Sequence, residues 1–303
     1  MRFSISIPQD LPDGEFDPAA FRAFLRRAEA LGFDGAWTQE QVLGGAARSS
    51  PLEAMTYAAA CTERIRLGCA VFVSTLHNPL HLANSLATLD QLSRGRVEVG
   101  VGVGNLGPAL RAFAVDPESR VARFTEGLEL MKACWTEPRI TFDGRFWQLD
   151  DDAMEPKPFQ KPHPPLWFGA RHPNALRRAV RHGDGFFGAG SATTAQFVEQ
   201  VRGVREALGE QDRDPGTFSI AKRVYIGVDD DASRARNRAS DTLKRFYGRD
   251  DLLSVAVFGS ADECVRGVRE VIDAGAEMVL FTPLFDDAGQ MERLAAEVMP
   301  QLS

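Results

Sequence analysis

In this chain of 303 residues cysteines are few, long apolar runs are lacking, and positive charges do not outnumber negative ones. The four cysteines (Cys61, Cys69, Cys134 and Cys264) form no C-x-x-C pair, which argues against a disulfide framework and indicates buried thiols. No stretch approaches the ~18 apolar residues of a membrane span, and the amino terminus alternates polar and apolar residues, unlike a signal peptide. A net charge of −7 argues against a general nucleic-acid binder. We therefore expect a cytoplasmic protein without a membrane or nucleic acid as partner.

Histidine is scarce as well, and the sequence predicts no metal site. His77 and His81 have the i, i+4 spacing of a metal pair, but Pro79 lies between them at a predicted helix start. No cysteine and no second histidine pair offers a third ligand. A surface or capping role is the expectation for both histidines.

What is present is a regular alternation of strand and helix. The predicted strands are residues 2–7, 33–37, 65–73, 96–103, 166–170, 185–189, 218–228 and 277–283. The predicted helices are residues 18–31, 51–62, 79–92, 119–135, 173–181, 194–208, 232–247, 261–274 and 287–299. Eight strands, each followed by a helix, predict an α/β fold of the (β/α)₈, or TIM, barrel type.

No linker divides the chain, so residues 1–303 are predicted to form a single domain. Irregular segments are predicted as loop insertions at the carboxyl-terminal face of the barrel, where barrel active sites lie. They span residues 38–50, 105–118, 137–165 and 248–260. The insertion at 137–165 contains Asp143 and Gly144 between β-prone residues, which predicts a hairpin.

A glycine-rich segment follows the fourth predicted strand. Residues 102–107 (GVGNLG) fit the G-x-G-x-x-G pattern of dinucleotide sites, but Pro108 and then Asp116-Pro117 interrupt the long helix that such a site needs. A glycine-lined strand end at Gly104, over which a flat ligand can lie, is the preferred interpretation.

A second candidate lies where the fifth predicted strand runs into a helix. Gly169, Ala170, Arg171 and His172 precede Pro173, which begins that helix. Free backbone N–H groups at the helix start, together with the Arg171 guanidinium, would hold a phosphate. An ordinary strand-to-helix turn is the alternative.

Several segments together resemble the bacterial luciferase-like family of flavin- and deazaflavin-dependent barrel oxidoreductases. They are residues 31–37 (LGFDGAW), 62–68 (TERIRLG), 78–79 (NP), 86–96 (LATLDQLSRGR), 100–104 (GVGVG), 165–169 (PLWFG) and 183–186 (GDGF). The resemblance implies a flavin-type ring across the carboxyl-terminal mouth of the barrel. It also implies a non-proline cis peptide at Ala70-Val71 that braces the ring, and a phosphate held by Gly169, Ala170, Arg171 and His172.

The sequence departs from the family pattern at two positions. The histidine that many members carry after the second strand is replaced by Gln41, and an amide cannot shuttle a proton. The glutamate that the sugar-phosphate dehydrogenases carry after the fourth strand is replaced by Asn105, so a sugar-phosphate substrate is not expected. Gln41 and Asn105 are predicted to face the ring or the substrate, with Glu40 as the titratable catalytic candidate.

By resemblance, we expect coenzyme F420 as the cofactor and hydride transfer to or from a small organic molecule, in a homodimer. Several apolar residues near strand ends suggest a partly apolar substrate, or belong to the core: Phe72, Phe187, Phe258, Leu284 and Phe285. Two alternatives stay open. One is a monooxygenase that uses reduced FMN, and the other is a flavin-binding barrel without turnover.

Overall fold

The computed structural model describes residues 1–11, 14–44, 47–105, 107–248 and 251–302. Strand and helix alternate along the chain, and the fold is the predicted (β/α)₈ barrel. The strands are β1 (Arg2–Ser6), β2 (Gly35–Thr38), β3 (Arg66–Val73), β4 (Val97–Gly102), β5 (Ile140–Asp143), β6 (Gln148–Asp152), β7 (Leu166–Gly169), β8 (Gly185–Gly188), β9 (Ser219–Val228), β10 (Ala256–Gly259) and β11 (Met278–Pro283).

Most predicted helices are present with boundaries within two residues. The helices are α1 (Pro18–Ala30), α2 (Pro51–Cys61), α3 (Pro79–Ser93), α4 (Pro108–Ala112), α5 (Arg120–Thr136), α6 (Pro173–His182), α7 (Thr194–Glu210), α8 (Ala232–Tyr247), α9 (Ala261–Asp273) and α10 (Asp287–Arg293). The short α4 was not expected. It begins directly after the glycine-rich segment and lasts only five residues.

The structure groups into two compact units, and the single domain over residues 1–303 stays a prediction. Unit 1 comprises residues 1–8, 18–37 and 169–303. Within it, β1 pairs in parallel with β2 and with β11, and β11 pairs with β9. The long β9 pairs with β8 along its first residues and with β10 along its last.

The strand β10 corrects the sequence analysis, which left residues 248–260 irregular. This strand has only four residues, and three of them are half-buried. Its apolar pattern is therefore too short to show the two-residue periodicity of a strand. It pairs in register with Tyr225 to Val228 at the carboxyl end of β9.

Unit 2 comprises residues 9–17 and 38–168. Its strands β3, β4 and β7 pair in parallel, and the register of β3 against β4 shifts between Cys69 and Phe72, which marks a β-bulge. The predicted hairpin is present as the antiparallel pair β5 and β6. Its turn is held by the Glu126 carboxylate of α5, which accepts hydrogen bonds from the backbone N–H groups of Arg145, Phe146 and Trp147.

The position predicted for this insertion was wrong. Residues 137–165 join α5 to β7, a helix-to-strand connection, and therefore lead into the amino end of a barrel strand rather than the carboxyl-terminal face. After the hairpin, Gln160 hydrogen-bonds to Asp90 and to the carbonyl of Val97, the first residue of β4.

The cysteines are free, as expected. Cys69, Cys134 and Cys264 are buried, and Cys61 is partly exposed. Among the described helices, none combines the length and apolarity required to cross a membrane.

Candidate functional site

The β-bulge of β3 shapes the first candidate group, which belongs to unit 2. The peptide bond between Ala70 and Val71 is cis, at the position that the family resemblance implied. Opposite the bulge, a Cβ added to Gly100 would lie 2.0 Å from the Cys69 carbonyl oxygen. Only glycine leaves room for this approach of two backbones. Beyond β4, Gly104 has φ +77° and packs against Val73.

Glu40, two residues beyond β2, turns its carboxylate towards the residues that follow this bulge. Its side chain is only 3% exposed. One oxygen, Oε2, accepts a hydrogen bond of 2.6 Å from the backbone N–H of Val73, and Oε1 lies 2.7 Å from His77 Nε2. Both carboxylate oxygens therefore have partners, as a buried carboxylate requires.

His77 is a functional candidate that the sequence analysis missed, although it is also the carboxyl-terminal cap of a short 3₁₀ helix (Ser74–Leu76), in line with the capping role expected for it. Its side chain is 25% exposed, and its ring meets the Phe72 ring edge-on with centroids 6.1 Å apart. Since Glu40 accepts at Nε2, the neutral imidazole carries its proton there and presents the Nδ1 lone pair. Among the described residues, Nδ1 has no hydrogen-bond partner. The pair supplies a titratable group although Gln41 replaces the family histidine.

The other unit 2 candidates keep their status as predictions. Gln41 and Asn105 are both exposed. The Gln41 amide folds over Gly44, where an added Cβ would lie 2.3 Å from its Nε2. Leu106 of the glycine-rich segment lies outside the described residues. No cluster of metal-ligating side chains occurs in the described part of the chain.

The second candidate group lies in unit 1, in the turn from β7 to α6. The prediction of free backbone N–H groups at the start of α6 was wrong. Pro173 has none, Asn174 donates to His172 Nδ1 (3.2 Å), and Ala175 donates to the His172 carbonyl oxygen (2.8 Å). What remains for an anion is Arg171, which is exposed and donates to the Ser191 hydroxyl.

Lys222 holds the loop that carries Ser191, the hydrogen-bond partner of Arg171. It lies on β9, is 2% exposed, and donates from Nζ to the carbonyl oxygens of Ala189 and Ala192, which flank Ser191. Burial, together with the nearby charges of Arg223 and Arg171, lowers the pKa of Lys222 to about 7. The ammonium therefore fastens the loop that positions Ser191 against Arg171.

Two tyrosines lie beside the same loop. The Tyr225 and Tyr247 hydroxyls are 2.6 Å apart, and burial together with Tyr225 raises the pKa of Tyr247. The Tyr247 hydroxyl therefore stays protonated at neutral pH and acts as a neutral hydrogen-bonding group.

The apolar residues suggested for a substrate wall divide into two sets. Phe72, Phe187 and Leu284 are buried and belong to the core. Phe258 and Phe285 are partly buried and pack against a cluster around Tyr225 and Leu284.

Known proteins resemble this chain along nearly its whole length. A family model described as luciferase-like monooxygenase matches residues 1–263. The F420-dependent glucose-6-phosphate dehydrogenase of Beutenbergia cavernae is 28% identical, over 95% of this chain and 94% of that protein. The same-named protein of Kineococcus radiotolerans is also 28% identical, over 95% and 94%.

Solved structures share the fold. The monooxygenase RslO1 from Streptomyces bottropensis has a TM-score of 0.85 and 24% identity, with 100% of both chains covered. An F420-dependent secondary alcohol dehydrogenase, in complex with an F420-acetone adduct, has a TM-score of 0.84 and 20% identity, with 100% of this chain and 99% of that chain covered. With the family model matching most of its residues, this protein is an enzyme that belongs to the luciferase-like monooxygenase family.

Proposed function

We propose that the protein is a coenzyme F420-dependent oxidoreductase that transfers hydride between the deazaflavin and an organic alcohol or the corresponding carbonyl compound. The observation that carries this proposal is the Glu40–His77 pair. Oxidation of an alcohol releases a proton together with the hydride, and the reverse reaction consumes one. A histidine oriented by a buried carboxylate is the group that such a proton transfer needs.

The roles within the pair follow from its geometry. Nδ1 of His77 accepts the substrate hydroxyl proton, because Nε2 donates to Glu40. The Glu40 carboxylate keeps the ring in this tautomer and stabilises the imidazolium that forms. The backbone N–H of Val73 fixes the carboxylate through Oε2. Because the Glu40 side chain is only 3% exposed, little water competes for its hydrogen bonds with His77 and Val73.

Bound F420 would supply the hydride chemistry, and Arg171 would hold its phosphate. Arg171 is exposed and has no carboxylate partner among the described residues, so its guanidinium is available for a phosphate. We assign the phosphate to the turn of Gly169, Ala170, Arg171 and His172. We assign the ring contacts to Ala70, Val71, Gly104 and Asn105, with Gln41 as a polar contact.

The substrate we propose is a partly apolar alcohol or ketone rather than a sugar phosphate. Asn105 stands where the sugar-phosphate dehydrogenases of the family carry a glutamate, and an amide cannot take that group's charge. A homodimer in the cytoplasm remains our prediction for assembly and location. Reduced FMN with dioxygen is the alternative that the cofactor assay separates.

The test begins with fluorescence titrations of the purified protein with F420 and with FMN, followed by turnover of an alcohol panel that includes glucose 6-phosphate. We expect F420 to bind and its absorbance to bleach with a secondary alcohol. His77→Gln should lower kcat by about 10²–10⁴-fold and remove the histidine limb of the pH–rate profile. Glu40→Gln should alter the same limb. His81→Gln is the matched control, since His81 is exposed on α3.

Tight FMN binding with oxygen uptake would replace the proposal by the monooxygenase. Binding of neither cofactor would favour a barrel without turnover. A pH–rate profile of His77→Gln identical to that of the wild type would remove the acid/base role, even if F420 turnover were found.

A further inference from the structure

Gln9 holds the chain directly before Glu40, in unit 2. Its side-chain amide accepts a hydrogen bond at Oε1 from the Gln39 N–H (2.7 Å) and donates from Nε2 to the Gln39 carbonyl oxygen (3.1 Å). The same nitrogen also donates to the carbonyl oxygen of Ser49 (2.9 Å). The amide therefore uses its oxygen and both of its hydrogens, and the residue is only 5% exposed.

The backbone of Gln9 strengthens this attachment. Its carbonyl oxygen accepts hydrogen bonds from the Ser49 N–H (2.9 Å) and from the Ser49 hydroxyl (3.4 Å). One residue thus fastens both ends of residues 39–49, the segment that begins directly after β2. A buried network in which every group has a partner is rigid, because a group that loses its partner is left with the full cost of its desolvation.

The peptide group between Gln39 and Glu40 is the one that this amide orients. A peptide group is planar, so a hydrogen bond to the Gln39 carbonyl oxygen also fixes the direction of the Glu40 N–H and the position of the Glu40 Cα. One residue earlier, Thr38 donates from Oγ1 to the carbonyl oxygen of Gly68 (3.0 Å). The chain that leads into Glu40 is therefore held by two separate partners.

The Glu40 carboxylate needs this precision because its two oxygens serve different groups. Oε1 lies 2.7 Å from Nε2 of His77, and Oε2 accepts from the Val73 N–H at 2.6 Å. A displacement of the Glu40 backbone by more than about 0.5 Å would lengthen at least one of these contacts. The orientation of the His77 ring therefore depends on where the backbone of residues 39 and 40 lies.

We propose that Gln9 is a positioning residue for the Glu40–His77 pair and acts through the peptide group between Gln39 and Glu40. The inference rests on the proposed function, because it gives Gln9 a part in the proton transfer of that pair. Gln9 takes no proton itself, since an amide does not titrate. Its contribution is to keep the Glu40 carboxylate on Nε2 of His77, so that Nδ1 faces the substrate.

The experiment compares Gln9→Met with Gln160→Met in the full chain. Methionine keeps the length of glutamine and removes the amide. Gln160 is the matched control in unit 2, because its amide also makes three hydrogen bonds, with Asp90, Val97 and Arg66. Gln9→Met should lower kcat about tenfold to 10²-fold at a nearly unchanged KM, and should change the histidine limb of the pH–rate profile as Glu40→Gln does. Gln160→Met should preserve kcat and the limb.

A double variant separates positioning from general support of the fold. Once Glu40 is replaced by glutamine, the group that Gln9 positions is gone. Adding Gln9→Met to Glu40→Gln should therefore lower kcat by no more than about twofold further. A further loss as large as the one that Gln9→Met causes in the wild type would overturn the inference.

A second readout needs no turnover. The ring signals of His77 are measured by NMR on protein with ¹⁵N-labelled histidine and are assigned by their absence from His77→Gln. They should shift in Gln9→Met in the same direction as in Glu40→Gln, and should stay in place in Gln160→Met. If Gln9→Met does not fold, Gln9→Glu takes its place, because an ionised carboxylate keeps an acceptor and removes the donor to Gln39 and Ser49.

The outcomes distinguish the inference from the proposed function. Unchanged His77 signals in a folded Gln9 variant would overturn the inference and leave the proposed function standing. A wild-type pH–rate profile for His77→Gln would overturn the proposed function, and with it the part of Gln9 in proton transfer. The His77 signals would then still decide whether Gln9 orients the pair.

Discussion

Single glycines decide how closely the strands of unit 2 approach one another. Gly100 is the sharpest case, because the bulge of β3 brings the Cys69 carbonyl oxygen to the place where a side chain would begin. The partner atom belongs to the backbone and cannot rotate away as a side chain would. The bulge is also the feature that brings the Val73 N–H to Glu40, so this glycine connects packing with the candidate site.

Gly100→Ala should destabilise the protein by about 1–3 kcal/mol or more, since the added methyl group must displace backbone atoms. Gly209→Ala is the control. Its site on α7 has no atom within 4 Å of an added Cβ, and alanine favours a helix. Urea denaturation of both variants measures the difference. Equal stability of Gly100→Ala and the wild type would show that the strands can separate at little cost.

At the scale of secondary-structure elements, one buried arginine caps the carboxyl end of α2. Arg96, just before β4, donates from Nη2 to the carbonyl oxygens of Ala59 (2.9 Å) and Thr62 (3.1 Å) at the end of α2. Its Nη1 donates to the Thr62 hydroxyl and to the carbonyl oxygen of Ile65. The last carbonyls of a helix need such partners, and here a cation supplies them.

Arg96→Met should lower the free energy of unfolding by about 2–4 kcal/mol, because several buried carbonyl groups would lose their donor. Arg139→Met is the matched control, since the Arg139–Asp151 ion pair is exposed and should contribute little. Thermal and urea unfolding compare the two. A wild-type stability for Arg96→Met would mean that water replaces the guanidinium.

For the whole molecule, Lys222 couples stability to pH. Its folded-state pKa of about 7 lies below its ordinary value of 10.5, so between these values the unfolded chain holds the proton more often than the folded protein. Stability from this group therefore rises with pH above about 7, by at most about 1.4 kcal/mol per pH unit. Below pH 7 the lysine is protonated in both states, and this contribution no longer changes.

Buried Cys264 works in the opposite direction at higher pH. Burial raises the pKa of its thiol to about 12, so above pH 9 the unfolded chain loses this proton first and stability falls. The measurement that isolates Lys222 is urea denaturation from pH 6.5 to 8.5, for the wild type and Lys222→Met. The variant should show a smaller rise across this window. Parallel curves for the two proteins would contradict the assigned pKa.

Most of the fold could be predicted from the sequence, because strand and helix signals are local. Pro18, Pro51, Pro79 and Pro173 begin helices as expected, and the eight predicted strands occur within about two residues of their expected bounds. Glycine and proline residues interrupt the apolar pattern, and their positions marked where most of these elements begin and end. The short β10 and α4 escaped because four or five residues carry too little periodicity.

The sequence by itself determined the barrel class, the positions of its elements and the turn at Arg171. Only the tertiary structure decided that Glu40 contacts His77, 37 residues away, and that Lys222 of β9 donates to the carbonyl oxygens of Ala189 and Ala192. The reason is physical. Periodicity reports which face of an element is buried, whereas a hydrogen bond between distant residues depends on the path of the backbone, here altered by the bulge of β3.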